Sequence, residues 1–230
     1  MAESFASIHA TLVSVLEPKP GERFLDVATG TGGVALQAAR AGAEVTGLDI
    51  SADQLGKARR AAEAEGLPVR FDEGDAQELP YEEQSFDVVA SAFGVIFAPD
   101  HARAASELTR VCRHGGRLGM TAWPEDDWFR LNRRLRPDYE GATANEWSKE
   151  VYVRALLPEF ELRFDRGEWA IEASSAEELW EVLAASVPPL KAWLETLDAA
   201  ALEDVRGDYV PFLGEGRLRR EYGRVLGTRR

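Results

Sequence analysis

Short apolar runs and helically spaced apolar residues alternate along the first half of the chain. The runs predict strands at residues 23–28, 44–48, 69–71, 86–92 and 116–122. Apolar positions three and four residues apart predict helices at residues 5–16, 32–41, 52–65 and 100–112. Because strands that alternate with helices form parallel sheets with helical crossovers, the pattern predicts an α/β fold.

The second half of the chain breaks this alternation. Residues 124–150 are polar, carry Arg and Trp, and are too numerous for a simple connection, so they predict an insertion after the fifth strand. Beyond it we predict a strand at 160–171, helices at 176–185 and 190–205 within a helical segment of about 175–214, and a last strand at 219–228. No repeat or low-complexity linker divides these seven strands, so we expect one domain over residues 1–230.

Composition and charge narrow the classes of function. The chain is 45% hydrophobic and 29% charged, as is typical of a globular protein, and its net charge of −13 disfavours nucleic acid as a partner. Six arginines give residues 211–230 a positive charge, which we interpret as a solvated last strand. One cysteine, Cys112, allows no internal disulfide and no multi-cysteine zinc site, so we expect no metal.

The distribution of apolar residues also bears on the cellular location. The longest nearly apolar run, residues 88–99, is well short of the ~20 residues that a membrane helix needs. Glu3 lies where a secretory signal would carry positive charge. We therefore expect a cytoplasmic protein with a small-molecule partner and no stable membrane insertion; the sequence does not indicate an oligomeric state.

A glycine-rich loop, LDVATGTGG at residues 25–33, joins the first strand to its helix. Glycines let the backbone approach a ligand and leave the N–H groups of a helix start facing it, so we expect a cofactor here. The spacing Gly30-x-Gly32-x-x-Ala35, with Asp49 following 19 residues after Gly30, also fits the dinucleotide pattern of nicotinamide enzymes. A tight turn without a ligand is the structural alternative.

Three acidic residues help to separate these alternatives. Asp26 lies just ahead of the loop, where a negative charge would repel a pyrophosphate and favour a cationic ligand. Asp49 ends the second strand, where a carboxylate can accept both hydroxyls of a ribose while Ile50 offers an apolar face to a purine. Asp75 and the backbone N–H of Ala76 can together recognise the donor and acceptor edge of adenine.

Five ordered segments, LDVATGTGG, VTGLDIS, FDEGDAQELP, FDVVASAFGVIFAPD and RVCRHGGRLGMTAW, resemble the motifs of class I S-adenosylmethionine-dependent methyltransferases. The likeness is closest to the ubiquinone- and menaquinone-biosynthesis type and its small-molecule relatives, and it covers about residues 20–124. It implies a Rossmann-like, doubly wound, seven-stranded and mostly parallel sheet, with an antiparallel last strand and helical insertions. It also implies S-adenosylmethionine as cofactor.

The resemblance implies roles for individual residues. The methionine part of the cofactor would be surrounded by Asp26, Thr29, Gly30 and Gly32, with Ser91 near its amino group. Asp49 would bind the ribose, and the adenine would be held by Ile50, Asp75 and Ala76. Ala28 departs from the family pattern, in which many members have glycine. We expect the change to be harmless, because a methyl group tolerates ordinary backbone angles; a positive φ at this residue would make it disruptive.

Methyl transfer from a sulfonium is an in-line displacement, so alignment in a dry pocket is the main requirement and a general base is optional. His101, at the start of the helix after the fourth strand, and His9, on the opening helix, are the candidate bases. The alternatives are an exposed His101 in a first turn that Asp100 caps, and a His9 that packs on the sheet. His114, in the turn before the fifth strand, would lie far from the cofactor.

Three tryptophans, Trp123, Trp128 and Trp147, flank the insertion and predict an apolar or aromatic acceptor pocket, although core packing explains them equally well. Arg133 and Tyr139 are candidate polar contacts. We predict a methyltransferase that acts on a small, apolar or aromatic acceptor by O-, C- or N-methylation. An NAD(P)-dependent oxidoreductase and a non-catalytic cofactor-binding module are the alternatives.

Overall fold

The computed structural model describes residues 2–136 and 144–230. Within them, seven strands form one sheet in the order β3-β2-β1-β4-β5-β7-β6. The strands are β1 (Arg23–Val27), β2 (Glu44–Asp49), β3 (Val69–Glu73), β4 (Phe86–Ala92), β5 (Cys112–Ala122), β6 (Phe160–Glu172) and β7 (Arg217–Arg229). β1 to β5 are parallel, whereas β7 is antiparallel to both of its neighbours, which confirms the predicted sheet.

Helices connect these strands. They are α1 (Ala2–Leu16), α2 (Gly33–Arg40), α3 (Ala52–Glu65), α4 (His101–Val111), α5 (Asp127–Leu135), α6 (Glu150–Leu156), α7 (Ala176–Ser186), α8 (Pro188–Leu194) and α9 (Ala199–Leu213). Short 3₁₀ helices cover Val95–Phe97 and Ala144–Ser148. No helix in the described ranges is long and apolar enough to cross a membrane.

Helices cover both faces of the sheet, which is why its central strands are apolar on both sides. In β1, Phe24 faces the layer that contains α2 and α3, while Leu25 and Val27 face the layer that contains α4. All three side chains are fully buried. The packed core therefore fixes the carboxyl ends of β1, β2 and β4, from which the candidate site residues project.

Two predicted helix caps are confirmed. The Ser51 hydroxyl accepts a hydrogen bond from the backbone N–H of Gln54 at the start of α3. Asp100 accepts a bond of 2.9 Å from the N–H of Arg103 at the start of α4. These caps set where each helix leaves the carboxyl edge of the sheet.

The structure corrects the predicted helices of the second half. The helix predicted at 190–205 is two helices, α8 and α9, because Asp198 accepts the N–H of Ala201 and starts a new helix. The predicted insertion at 124–150 contains α5, which Asp126 caps. β5 begins at Cys112, four residues earlier than expected, so His114 lies in a strand and not in a turn. The single-domain organisation stays a prediction.

The interpretation of the C-terminal arginines as a solvated last strand is correct only for some of them: the side chains of Arg217 and Arg219 are more than half exposed, whereas Arg220 and Arg229 are buried. β7 lies between β5 and β6, and its arginines pair with acids across the sheet. Arg217 contacts Glu172 at 2.8 Å and Arg224 contacts Asp165 at 2.5 Å. Arg220 is only 9% exposed. Much of this local positive charge is therefore neutralised within the fold.

Candidate cofactor and acceptor site

The loop between β1 and α2 depends on backbone conformations that favour glycine. Gly30 has φ 56° and Gly32 has φ 86°. Gly32 is the first residue before α2 and provides no side-chain cap, so the N–H groups of the first helical turn are not capped from that position. The loop thus presents backbone donors at the carboxyl edge of the sheet, as an anionic or polar ligand group requires.

Ala28 adopts φ 56°, which corrects the expectation of ordinary backbone angles at this position. This left-handed conformation costs an L-residue roughly 1–2 kcal/mol. The methyl group fits because residue 94 is glycine: a Cβ built on Gly94 would lie 2.4 Å from the Cβ of Ala28. The departure from the family glycine therefore introduces strain into the loop.

We expect Ala28→Gly to raise the free energy of unfolding by about 0.5–1 kcal/mol, because relief of the left-handed strain exceeds the added entropy of the unfolded chain. Urea denaturation measures the change. Ala38→Gly, in the buried face of α2, is the matched control and should lower the free energy of unfolding by at least about 1 kcal/mol. If both variants lose stability alike, the account of Ala28 is wrong.

Asp26 lies beneath this loop and is 1% exposed. Its Oδ2 accepts hydrogen bonds from the Thr29 hydroxyl at 2.6 Å and from the N–H of Ala35 at 3.1 Å. Burial, reinforced by the negative charge of Asp49, raises the pKa of Asp26 to about 7. Asp26 therefore braces the turn and changes charge near neutral pH.

Asp49 joins the end of β2 to the same loop. Its Oδ2 accepts the N–H of Gly30 at 2.7 Å, and its Oδ1 accepts the N–H of Ser51 at 2.9 Å. Each carboxylate oxygen can accept a further hydrogen bond, so the group retains capacity for ligand hydroxyls. The adjacent Ile50 is 72% exposed, an unusual position for a large apolar side chain.

Asp75 and Ala76 lie just after β3 and are partly exposed. Asp75 accepts hydrogen bonds from the backbone N–H of Gln77 at 2.8 Å and from the Gln77 side-chain amide at 3.0 and 3.1 Å. The side-chain Oε1 of Gln77 accepts the N–H of Asp100 at 2.8 Å. Gln77 thereby connects the loop after β3 to the start of α4, a role that no motif indicated.

Ser91 is fully buried between β1 and the turn after β4. Its hydroxyl donates to the carbonyl oxygen of Val27 at 2.8 Å and accepts the N–H of Val95 at 3.0 Å. Both bonds hold the backbone around the loop, so Ser91 supports the site from below. Its predicted contact with the methionine amino group stays a prediction.

His9 covers the end of the glycine loop. A Cβ built on Gly33 would lie 2.2 Å from the His9 Nδ1, so the imidazole ring occupies the space that a side chain at residue 33 would need. The ring of Phe5 lies 6.3 Å away. Burial lowers the pKa of His9 to about 4, so the imidazole is neutral at neutral pH. Helix α1 thus lies over the loop.

His101 is 8% exposed, which contradicts the alternative that it is exposed in the first turn of α4, although Asp100 does cap this helix. Its Nδ1 lies 2.7 Å from the Tyr152 hydroxyl oxygen, and its ring lies 5.4 Å from that of Trp147. Burial lowers the pKa of His101. The other ring nitrogen, Nε2, is buried.

The three tryptophans are buried and lie in two separate places. Trp123 and Trp128 both contact the guanidinium of Arg220, whose Cζ lies 4.1 Å and 5.6 Å from their ring centroids. Trp147 packs instead against the ring of His101. Arg133, the suggested polar contact, pairs with Glu125 at 3.0 Å. Tyr139 lies outside the described residues.

Aromatic rings meet at the carboxyl ends of β4 and β5. We call this group the aromatic cluster; it consists of Phe5, Phe93, Trp123, Trp169 and Tyr222. Trp123 stacks on Phe93 with ring centroids 4.2 Å apart, and Phe5 stacks on Trp169 at 5.2 Å. Phe5 also lies beside the imidazole ring of His9, which covers the glycine loop. The cluster therefore lies beside the candidate cofactor site.

Sequence reasoning missed the contribution of Arg220 to this region. The segment Leu218-x-Arg220-x-Tyr222 alternates with a period of two, and its three named side chains are buried. A strand places alternate side chains on one face, so an arginine between two apolar residues was the available signal. Phe93, whose φ is 56°, had no comparable signal.

The comparisons with known proteins concern the domain family and the fold. Residues 24–116 match a family described as a methyltransferase domain. An uncharacterized protein of Mycobacterium bovis is 40% identical over 161 residues, which cover 67% of this chain and 59% of that protein. A demethylmenaquinone methyltransferase of Thermus thermophilus is 48% identical over 111 residues, which cover 47% of this chain and 50% of that enzyme. The chain thus matches less than two thirds of either relative.

A solved structure extends the likeness to nearly the whole chain. A putative methyltransferase from Bacillus halodurans superposes with a TM-score of 0.69 at 24% identity, and the alignment covers 96% of this chain and 98% of that one. At this identity the likeness concerns the fold. It includes the second half, where the sequence pattern was least regular.

Proposed function

We propose that the chain is a class I S-adenosylmethionine-dependent methyltransferase, and that it transfers a methyl group from S-adenosylmethionine to a small, apolar or aromatic acceptor by O-, C- or N-methylation. The single observation that supports this best is the attachment of the glycine loop to Asp49 through the N–H of Gly30, beside the exposed Ile50. At such an edge, carboxylate oxygens that can accept hydrogen bonds from hydroxyl groups lie beside an apolar surface.

The residues at this edge fit the parts of the cofactor. In the proposal, Asp49 accepts the ribose hydroxyls, Ile50 packs on the adenine, and Asp75 with the N–H of Ala76 recognises the adenine edge. The methionine part lies along the loop formed by Thr29, Gly30 and Gly32, with Asp26 beneath it and Ser91 behind it. When bound, S-adenosylmethionine supplies a methyl group activated by its positively charged sulfur.

The charges at this edge disfavour a nicotinamide dinucleotide. Asp26, Asp49 and Asp75 all lie at the loop edge, and Asp26 accepts bonds from within the loop itself. Carboxylates stabilise a sulfonium and repel a pyrophosphate. An oxidoreductase is therefore the weaker proposal, and a non-catalytic binding module would bind the cofactor without turnover.

Of the two candidate bases, we assign proton transfer to His101. A general base works best when its pKa lies near the working pH. His9 has a pKa of about 4 and lies against Gly33, a position that suits packing over the cofactor. His101 is oriented through Nδ1 by Tyr152 and stands at the start of α4, near the carboxyl end of β4.

We expect His101→Gln to lower turnover about 100-fold at neutral pH while the affinity for S-adenosylhomocysteine stays unchanged, because a positioned base contributes at least this factor. His114→Gln is the control, since His114 lies at the opposite end of β5 from Trp123. Steady-state rates over pH 6–9 measure the effect. Turnover of His101→Gln within twofold of wild type would remove the assignment.

The proposed function is tested by turnover on a panel of acceptors. The purified chain is incubated with S-adenosylmethionine and phenols, naphthols, quinols, amines or sugars, and S-adenosylhomocysteine is quantified by mass spectrometry. We expect product with planar aromatic acceptors and background levels with sugars. Cofactor binding without product from any acceptor would favour the non-catalytic module.

A further inference from the structure

Arg220 is a buried cation with an unused hydrogen-bond donor. Its side chain is 8% exposed, and its Nε donates to the Oδ2 of Asp126 at 2.7 Å. Its Nη2 is buried and has no hydrogen-bond partner among the residues that the structure describes. Buried polar groups are nearly always paired, and a buried donor on a charged group is especially costly to leave unpaired. An unused donor of this kind indicates a missing acceptor atom.

The guanidinium is held rigidly. Asp126 is itself fixed, because its Oδ1 accepts the N–H of Phe129 at the start of α5. The guanidinium lies over aromatic rings, with its Cζ 4.1 Å from the ring centroid of Trp123, 5.3 Å from that of Phe129 and 5.6 Å from that of Trp128. Arg220 is therefore preorganised, as a binding group is and as a surface arginine is not.

A cavity of about 450 Å³ adjoins this arginine. Its wall includes Arg220 and Asp126 and the apolar side chains of Trp128, Phe212 and Leu218, and its other charged members are Glu125, Asp127, Arg166, Arg219 and Glu221. This volume lies in the range of small-molecule sites. The cavity starts just after β5, at the same edge of the sheet as the glycine loop.

The charges of this region restrict the ligand. Asp126 already offsets part of the charge of Arg220, so a doubly charged partner such as a phosphate is matched less well here than a group with a partial or single negative charge. The remaining donor suits an oxygen that carries partial or developing negative charge, and the rings around it suit a flat molecule. A phenol or an enolised ketone has both properties.

We propose that Arg220 is the acceptor-binding residue of the proposed methyltransferase, and that it binds the oxygen of a planar phenolic or enolic acceptor through Nη2. Loss of the hydroxyl proton, to a general base or to water, leaves a phenolate or enolate that the guanidinium stabilises. An electron pair of this anion forms the new bond to the methyl carbon. The sulfur–methyl bond breaks, and its electron pair stays on sulfur as a neutral thioether.

The test uses 4-nitrophenol, which absorbs visible light only as the phenolate, and nitrobenzene, which lacks the hydroxyl. Each is titrated into the full chain saturated with S-adenosylhomocysteine, and the pKa of bound 4-nitrophenol is read from absorbance against pH. We expect the wild-type chain to lower this pKa by about one unit, since an adjacent cation favours the ionised form. Nitrobenzene should bind more weakly at every pH above that value.

The decisive variant is the pair Asp126→Asn with Arg220→Gln, which removes the cation without leaving an unpaired acid. We expect it to abolish the pKa shift and to leave nitrobenzene binding within twofold. Arg220→Lys is the second variant, used if the pair lowers the melting temperature severely; it should weaken binding of 4-nitrophenolate about tenfold. Arg217→Gln, an exposed arginine of the same strand that contacts Glu172 across the sheet and lies outside the cavity wall, is the control and should behave as wild type.

Several results would overturn the assignment: a pKa shift that survives in the paired variant, no shift in the wild-type chain, or no binding of either probe. The inference rests on the proposed function, so the affinity for S-adenosylhomocysteine is measured on the same samples. Loss of that affinity in the wild-type chain refutes the proposed function. Retained affinity without an Arg220 effect refutes only the acceptor-binding role.

Discussion

Asp49→Asn should weaken the binding of S-adenosylhomocysteine at least about 100-fold. The variant loses the negative charge that would accept the ribose hydroxyls, and hydrogen bonds to charged groups contribute about 1.5–3 kcal/mol each. The substituted amide also turns a donor toward the N–H of Gly30 or of Ser51, both of which the native carboxylate accepts. Isothermal titration calorimetry measures the loss.

The control for this prediction is Asp53→Asn. Asp53 lies in the first turn of α3, and its side chain is 72% exposed and pairs with Lys57, so its removal alters the nearby charge without touching the loop. We expect its affinity to stay within twofold of wild type. Equal affinities for Asp49→Asn and wild type would refute the assigned ribose site.

Asp26 should make the free energy of unfolding fall as the pH rises, the opposite of what an aspartate with a lowered pKa does. Its folded-state pKa of about 7 lies above the usual aspartate pKa of 3.8, so between these values the folded state binds more protons than the unfolded chain. The free energy of unfolding contributed by Asp26 is therefore present below pH about 4 and is lost as the pH rises toward 7. A shift of this size corresponds to on the order of 4 kcal/mol.

Asp26→Asn removes this dependence, because the amide does not ionise. We expect the stability of the wild-type chain relative to Asp26→Asn, measured by urea denaturation, to fall as the pH is raised from 5 to 8. The exposed variant Asp53→Asn should show no such trend in this range. Parallel curves for wild type and Asp26→Asn would show that Asp26 does not titrate there.

The same residue gives a prediction for the cofactor. S-adenosylmethionine carries a positive charge on sulfur that S-adenosylhomocysteine lacks, so an ionised Asp26 favours the former. The ratio of the affinity for S-adenosylmethionine to the affinity for S-adenosylhomocysteine should rise between pH 6 and pH 8 in the wild-type chain and stay constant in Asp26→Asn.

The first half of the fold could be predicted from the sequence because its signals are local. Strand and helix periodicity, the caps Ser51 and Asp100, and the acids that end strands all act within a few residues. A parallel sheet brings the carboxyl ends of its strands to one edge, so Asp49 and the glycine loop could be expected to meet. The bond from the N–H of Gly30 to Asp49 is the result.

The remainder depends on contacts between distant parts of the chain. Asp126 and Arg220 are 94 residues apart, and only the position of β7 beside β5 brings them together. The left-handed conformation of Ala28 is tolerated because Gly94 leaves room for its methyl group. In neither pair does the sequence around one residue indicate which distant residue it contacts.

The most direct test of the account is a calorimetric titration of the purified wild-type chain with S-adenosylmethionine, S-adenosylhomocysteine, NAD and NADP. We predict micromolar binding of the two adenosyl ligands and no measurable binding of the two dinucleotides. A preference for a nicotinamide nucleotide, or no binding of any of the four, would contradict the assignment of the cofactor site.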